Sequence, residues 1–439
     1  MPKIKSQLVS RQVIQCGARC EPQVLSGVDI STSHMGIPVI QVYRHGLDVD
    51  VLRRSLAQVL ASYPLIAGRL RKDAQGHAVV DGNDAGVTFS VFRCAGALPD
   101  YGPQHHMADH ISSFHTPIYP WQVFRPDCPL AHINVYQFDD GGAVLGLCMV
   151  HSLIDGQSFW QFMRDWADTA RGQSVPLRPM DRSQMVRIGQ EHLNEPFTKG
   201  YAQIASWGAW LRTAARLGWQ HLFSLGKGVY RISATTVQRW RDDAAAEGQG
   251  AEKVTPSELV TAHVLKTLAP QWPRKDRYLL GMVIDLRYKR SLRIPRFFFG
   301  NALGHRDVPY SPDELARDSL ARIGIKSRTS PEGLSTEDLH AYLAMFERAR
   351  QDKAANRLML RSIARSVDGG LVLNNCSHFP IYDIDFGTGK PSWHDPVRVV
   401  FRMLMIIETP TGDGGFDIHL TAPRRELAVF DRLYGRGRS

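Results

Sequence analysis

The sequence predicts an α/β protein built as two lobes of similar size, each a mixed β-sheet with helices. Three observations predict it. The chain has 439 residues, roughly two or three domains' worth of material, or two large halves sharing an interface. Hydrophobic residues make up 43%, enough for sizeable cores, and the Trp and Phe residues are spread along the chain as packed cores require. Strand-like and helix-like patterns are mixed in both halves, with no internal repeat.

Taken in order, residues 39–43 are β-branched and aromatic and predict a strand. Asp50 is the expected N-cap of a helix whose apolar stripe is Val51, Leu52, Leu56, Val59 and Leu60, and Tyr63-Pro64 ends it. Residues 71–90 predict a hairpin, with turn chemistry at Asp73-Ala-Gln-Gly76 and at 81–86 around a short strand at 77–80. Residues 101–130 are rich in His and Pro and show no period. Residues 131–138 and 143–150, joined by Asp139-Asp-Gly-Gly142, read as a β-hairpin. Its second arm is apolar almost throughout, so both faces of that strand are expected to be covered.

Phe159, Trp160, Met163, Trp166, Ala167 and Ala170 then recur at helical spacing, and Arg171-Gly172 closes that helix. Residues 173–197 read as a crossing segment, 198–226 are helix-compatible, and 242–252 read as a loop. Thr255-Pro-Ser-Glu258 is a helix start, with Thr as N-cap, Pro at the first helical position and Glu closing a capping box. Residues 278–284, 371–376, 399–407 and 416–420 predict strands, 312–366 are mainly helical, and Leu427, Phe430 and Leu433 mark a last helix.

Composition excludes several classes. No stretch is long and apolar enough to span a bilayer, and Met1-Pro-Lys-Ile-Lys-Ser-Gln has no apolar signal core behind it, so a soluble cytoplasmic protein is expected. Six cysteines without regular spacing make no disulfide framework. Cys16 and Cys20 lack neighbouring ligands for zinc, and Cys148 reads as a small core residue. The net charge of +10 is compatible with plain solubility or with an anionic small ligand; a clustered basic face or a recognition motif for nucleic acid is not evident.

The informative stretch is the end of the apolar strand, His151-Ser-Leu-Ile-Asp155-Gly156. His-x-x-x-Asp alone proves little, because with 17 histidines about one chance match is expected. The chain has His77/Asp81, His105/Asp109 and His151/Asp155. Only His151 stands at the end of a buried strand directly before a helix, where a neutral imidazole is held in place and can accept a proton near neutral pH. A hydrogen-bonded core histidine without chemistry is the competing reading. Asp155 is either the N-cap of the following helix or the partner of a distant arginine, and both roles are structural. No Gly-x-Ser-x-Gly elbow supports a covalent serine mechanism.

Together with further motifs in chain order, this junction resembles the BAHD acyltransferases, a plant and fungal superfamily of coenzyme-A-dependent O- and N-acyltransferases. Tyr63-Pro-Leu-Ile-Ala-Gly-Arg-Leu70 is similar to the family's Tyr-Pro-Leu-Ala-Gly-Arg segment, and 151–156 to its His-x-x-x-Asp-Gly motif. Asp285-Leu-Arg287 through Pro295-Arg-Phe-Phe-Phe-Gly-Asn301 is similar to the Asp-x-Arg and Tyr-Phe-Gly-Asn block. Asp385-Phe-Gly-Thr-Gly-Lys-Pro391 is similar to Asp-Phe-Gly-Trp-Gly-Lys-Pro. Thr388 stands where the family usually has Trp, which argues for a fungal or microbial type of specialised metabolism over a typical plant member.

The resemblance implies a fold like that of chloramphenicol acetyltransferase: an N-terminal lobe at 1–185, a crossover at 186–235 and a C-terminal lobe at 236–439. His151 would be the catalytic base in a channel between the lobes, with acyl-coenzyme A as co-substrate entering from one side and a small alcohol or amine from the other. Asp155, paired with Arg287, and Gly156 would support the catalytic loop. Thr388 is a candidate oxyanion donor. Ser31, Thr32 and His34 are candidates for the acceptor pocket. Gly300, Asn301, Asp385 and Gly387 are candidates for the coenzyme side, a turn role being the alternative for the last two. No metal, no bound cofactor, no nucleic-acid or membrane partner and a monomeric state are expected. The rival readings are a carrier-protein-dependent condensation domain, disfavoured because Val150 replaces the usual first of two histidines, and a non-catalytic protein of the same fold.

Overall fold

The apolar run Ala143–Val150 is a strand buried at every position. It lies between Ala131–Phe138, its hairpin partner, and Gly36–Tyr43, pairing antiparallel with both. The computed structural model describes residues 4–33, 35–103, 113–248, 250–330, 335–396 and 399–435. Around that central strand a six-stranded sheet runs in the order Ser6–Ile14, Val87–Cys94, Ala131–Phe138, Ala143–Val150, Gly36–Tyr43, Trp393–Pro396. The pair of Val87–Cys94 with Ala131–Phe138 is parallel and the other pairs are antiparallel, so the sheet is mixed.

Helix Gly156–Ala170 packs on this sheet through Phe159, Phe162, Met163 and Trp166, and Trp166 donates its indole N–H to Ser55 Oγ (3.0 Å) of helix Val49–Ser62. A second six-stranded mixed sheet runs Leu225–Ile232, Phe416–Pro423, Met403–Glu408, Gly370–Asn375, Tyr278–Asp285, Leu303–Tyr310. Thr255 forms its capping box with Glu258, and helix Pro256–Leu268 buries Leu259, Val260, Val264, Leu265 and Leu268.

The lobes interlock. Leu225–Ile232, within the stretch read as crossover, is an edge strand of the second sheet. Trp393–Pro396 lies far along the second half of the chain but pairs with Gly36–Tyr43 in the first sheet. These two edge strands are joined by a buried ion pair, Lys227 to Asp395. Phe299, Ile381, Ile384, Phe386 and Ile407 enter the same apolar core as Val150, Leu153 and Phe159.

Some sequence expectations are corrected. The first long helix is capped by Asp48, whose carboxylate accepts from the Asp50 and Val51 amides; both aspartates are eligible caps, and backbone direction decides between them. Residues 242–247 are helical, as the end of Ala234–Glu247, because Ala244, Ala245 and Ala246 extend a helix until Gly248 turns it off at φ +65°. The strand expected from residue 399 begins at Met403, after Arg402 turns into the core to pair with Glu426 through both of its carboxylate oxygens (2.9 and 2.7 Å).

Gly146 shows how tightly the central strand is covered: a Cβ there would lie 1.6 Å from the Phe114 carbonyl oxygen. Gly146→Ala is therefore expected to lower the unfolding free energy by at least the ~1–3 kcal/mol typical of overpacked cores, and the urea midpoint with it. Unfolding followed by tryptophan fluorescence checks it, and an unchanged midpoint would contradict this packing.

Candidate active site

The covered strand ends at Val150, and its last turn delivers His151 to the junction of the lobes. The His151 amide donates to the Met35 carbonyl (3.0 Å), and the chain then turns through Leu153 N–H to Val150 O (3.0 Å). Asp155 stops the turn. Its backbone is extended (φ −97°, ψ −179°), and its carboxylate accepts the Ser158 amide (2.9 Å) as N-cap of helix Gly156–Ala170.

The same carboxylate meets Arg287. The guanidinium donates from Nη1 to Oδ2 (2.8 Å) and from Nη2 to Oδ1 (3.1 Å), and Oδ2 also accepts the Ala302 amide (3.0 Å). Arg287 further donates to Asp285 (3.0 Å), to Ser158 Oγ (2.9 Å) and to the Phe298 and Gly300 carbonyls (2.9 and 3.0 Å). Burial by itself would raise the Asp155 pKa. The Arg287 charge and hydrogen bonds, with the two amides, overcome it and hold the carboxyl below its ordinary value. Asp155 is thus a structural anion, fully committed away from the imidazole.

The imidazole has a different partner. His151 Nδ1 lies 3.1 Å from Asn301 Oδ1. The orientation of that amide follows from its other contacts. Asn301 Nδ2 faces the His151 carbonyl (2.7 Å) and Asp29 Oδ1 (2.9 Å), which are both acceptors and require the NH2 there. Oδ1 must then accept, so Nδ1 carries the ring proton and Nε2 keeps a free lone pair. Burial lowers the His151 pKa below the ordinary value, and the backbone, Asp155 and Asn301 only partly oppose that.

Asp29 and Arg182 complete the frame, and no motif pointed to either. Asp29 closes a capping box with Ser26 on the short helix Gly27–Ser31. Arg182 pairs with Asp29 (2.7 Å) and donates to the Leu153 and Ser152 carbonyls (2.6 and 3.1 Å). A buried aspartate seated in its own capping box was the available signal, but its partner lies 153 residues away.

The remaining candidates divide between expected and unexpected places. Asn301, expected to border the coenzyme, is fully buried between His151 and Asp29. Gly300 is also internal, its amide and carbonyl both bound to Ser158 Oγ (3.2 Å each). The Thr388 hydroxyl hydrogen is spent on the Gly46 carbonyl (2.8 Å), which leaves it no donor for an oxyanion. Asp385 folds back to accept the Gly387 and Gly389 amides (2.7 and 2.9 Å), a turn built on glycines of positive φ. Ser31 and Thr32 donate within their own helix end, to Val28 and Asp29 carbonyls (2.8 Å each). His34, like His105 and Asp109, lies outside the described residues. Gly156 sits against the Phe379 ring, where a Cβ would approach to 3.1 Å.

The model of the Transferase family matches residues 20–433. The chain belongs to that family, the BAHD acyltransferases. It is 24% identical over 406 residues to hydroxycinnamoyl-CoA:5-hydroxyanthranilate N-hydroxycinnamoyltransferase HHT4 of Avena sativa, covering 88% of this chain and 86% of the relative. In structure it resembles vinorine synthase, with a TM-score of 0.69, 16% identity and coverage of 97% and 96% of the two chains. TRI101 of F. graminearum, complexed with coenzyme A and deoxynivalenol, aligns with a TM-score of 0.71 and 13% identity over 94% of this chain and 97% of that one. The fold and the enzyme class, an acyltransferase, follow.

In this acyltransferase the ion pair carries a stability signature. Asp155→Ala is expected to cost about 3–5 kcal/mol, because it removes the bidentate partner of the buried Arg287, leaving it only Asp285, and the cap of helix Gly156–Ala170 as well. The Asp155 carboxyl titrates below its ordinary value in the folded state, so its contribution is complete above about pH 4 and disappears as pH falls through the folded pKa. Urea unfolding of wild type and variant should therefore converge only in acid; a gap that stays constant at all pH values would contradict the assignment.

Proposed function

We propose that this acyltransferase moves an acyl group from acyl-coenzyme A to a hydroxyl or amine of a small acceptor by direct attack, with Nε2 of His151 as general base. The observation that carries the proposal is the Nδ1 contact with Asn301, which fixes the tautomer with Nε2 unprotonated. The thioester donor is supported by the hydroxycinnamoyl-CoA in the name of the Avena relative and by the coenzyme A in the TRI101 complex. The net charge of +10 suits a polyphosphate co-substrate.

In the proposed reaction, Nε2 takes the proton of the acceptor heteroatom as that atom bonds to the thioester carbonyl carbon. The tetrahedral oxyanion collapses, the C–S bond breaks, and the imidazolium returns its proton to the departing thiolate. Asn301 holds the ring through both steps, because its carbonyl accepts from Nδ1–H whether the ring is neutral or charged. A neutral amide orients the base without adding the full negative charge that a carboxylate would place there. The lowered His151 pKa keeps the base free of its proton at neutral pH. Thr388 is not proposed as the oxyanion donor, its proton being committed to Gly46.

Two expected outcomes test this. Thiol release from a panel of acyl-coenzyme A donors with pooled alcohols and amines, read with product masses, should depend on acceptor and fall about 10²–10⁴-fold in His151→Ala. Release that survives the substitution would remove His151 as the base; no release and no coenzyme A binding would point to a carrier-bound donor or a non-catalytic protein. Asn301→Ala should lower kcat far more than it raises KM. The wild-type kcat/KM should rise with pH through a single step below about 6.5 and stay level above it. A step above that value would show that the imidazole is not the burial-depressed group described.

A further inference from the structure

Helix Trp207–Phe223 turns its apolar side outward. Trp207, Leu211, Ala215, Trp219 and Phe223 recur every four residues and form one ridge, with Leu222 beside them. Trp219, Leu222 and Phe223 are 64, 72 and 68% exposed, whereas only Gln220 of the whole helix is fully buried. The helix contains no Asp or Glu. Arg212 and Arg216 lie exposed along the lower flank of the ridge. At its C-terminal end the ridge borders a groove of about 780 Å³ lined by Arg216, Trp219, Phe223, Arg424 and Arg425, with the paired Arg402 in its wall. Arg216 is shared with Asp368 (3.0 Å); among the described residues Arg212, Arg424 and Arg425 make no ion pair.

We propose that this face docks on the surface of a bilayer containing anionic phospholipid. Tryptophan, phenylalanine and leucine on one side of a helix match the boundary between headgroups and acyl chains. Arginines beside them match lipid phosphates, and the groove offers room for a headgroup between Arg216, Arg424 and Arg425. A second copy of this chain would need to cover the ridge while bringing Arg212, Arg424 and Arg425, which make no ion pair among the described residues, against their own copies, and the repulsion disfavours that occupant. The surface lies on the helix within the crossover, so the chain would be held at the membrane by a segment that the catalytic contacts do not use. Among the described residues no helix is long and apolar enough to cross a membrane, so the contact is peripheral. This departs from the expectation of no membrane partner, which rested on the absence of a spanning stretch.

Co-sedimentation of the full chain with vesicles tests it. Binding to phosphatidylcholine/phosphatidylserine vesicles is expected, with much weaker binding to phosphatidylcholine alone and a loss as salt rises. Arg424→Gln and Arg425→Gln should each weaken binding about fivefold. Trp219→Glu with Leu222→Glu should abolish binding while leaving the thermal midpoint and thiol release intact, since these side chains are exposed. Failure to sediment with either vesicle overturns the proposal. So does a concentration-dependent dimer in analytical ultracentrifugation that the same double variant disperses, because the ridge would then be covered by a second copy.

Discussion

The loop that carries His151 depends on one buried ion pair. Asp155 and Arg287 are 132 residues apart and come from different lobes. Removing two such charges from water costs several kcal/mol per ion, and mutual attraction alone does not reliably offset that. Here the offset comes from saturation. Asp155 accepts from the guanidinium and from the Ser158 and Ala302 amides, while Arg287 also serves Asp285, Ser158 and the Phe298 and Gly300 carbonyls. Each of these backbone groups belongs to a segment that would otherwise bury an unsatisfied donor or acceptor. The pair therefore does more than attract: it fixes the start of helix Gly156–Ala170 against the second lobe.

A second grip acts on the same turn from the other side. Arg182 holds the Ser152 and Leu153 carbonyls, and Asn301 holds the carbonyl of His151. Asp29 joins the two, accepting from both Arg182 and Asn301. The carbonyls of 151, 152 and 153 and the side chain of Asp155 are thus all tied. An imidazole mounted on a turn so constrained has little freedom to leave its bearing, which is the condition for a proton acceptor to meet a reacting atom without reorganisation. Charged partners position the loop, and the side-chain amide hydrogen-bonded to the ring, Asn301, is neutral.

How much of this was legible in the sequence depends on the kind of signal. The hairpin at 131–150 was legible because strand alternation, a Gly-Gly turn and a fully apolar arm all agree. Asp155 and Arg287 were legible because each lies in a motif. Asn301 was located by its motif but assigned to the coenzyme side, since a sequence does not say which neighbour a side-chain amide faces. Asp29 and Arg182 were not legible as partners: their contact is long-range, and an aspartate in the first turn of a short helix, three residues after its Ser26 cap, looks like an ordinary capping box. Thr388 was offered as a donor because it stands where an indole N–H usually does, but a hydroxyl reaches a nearer partner, Gly46. Residues 242–247 looked loop-like for their glycine and acidic neighbours, yet the three alanines prevail once Ser233 caps the helix.

Helix Trp207–Phe223 exposes a different blind spot. Its period is helical, and the sequence of 198–226 is helix-compatible whichever way the face points. Periodicity defines a stripe but not its partner: an apolar ridge reads alike whether it faces a core or the outside. Only the surrounding packing decides. Leu217 reaches the small cluster around Val372, Phe401 and Met403 on the opposite side, which commits that side to the protein and turns the tryptophans out. An inward stripe on this helix would have been explained by the core it filled. An outward one, next to Arg212, Arg424 and Arg425, which make no ion pair among the described residues, suits a partner that is apolar and negatively charged at once, and that combination is what an anionic bilayer surface presents.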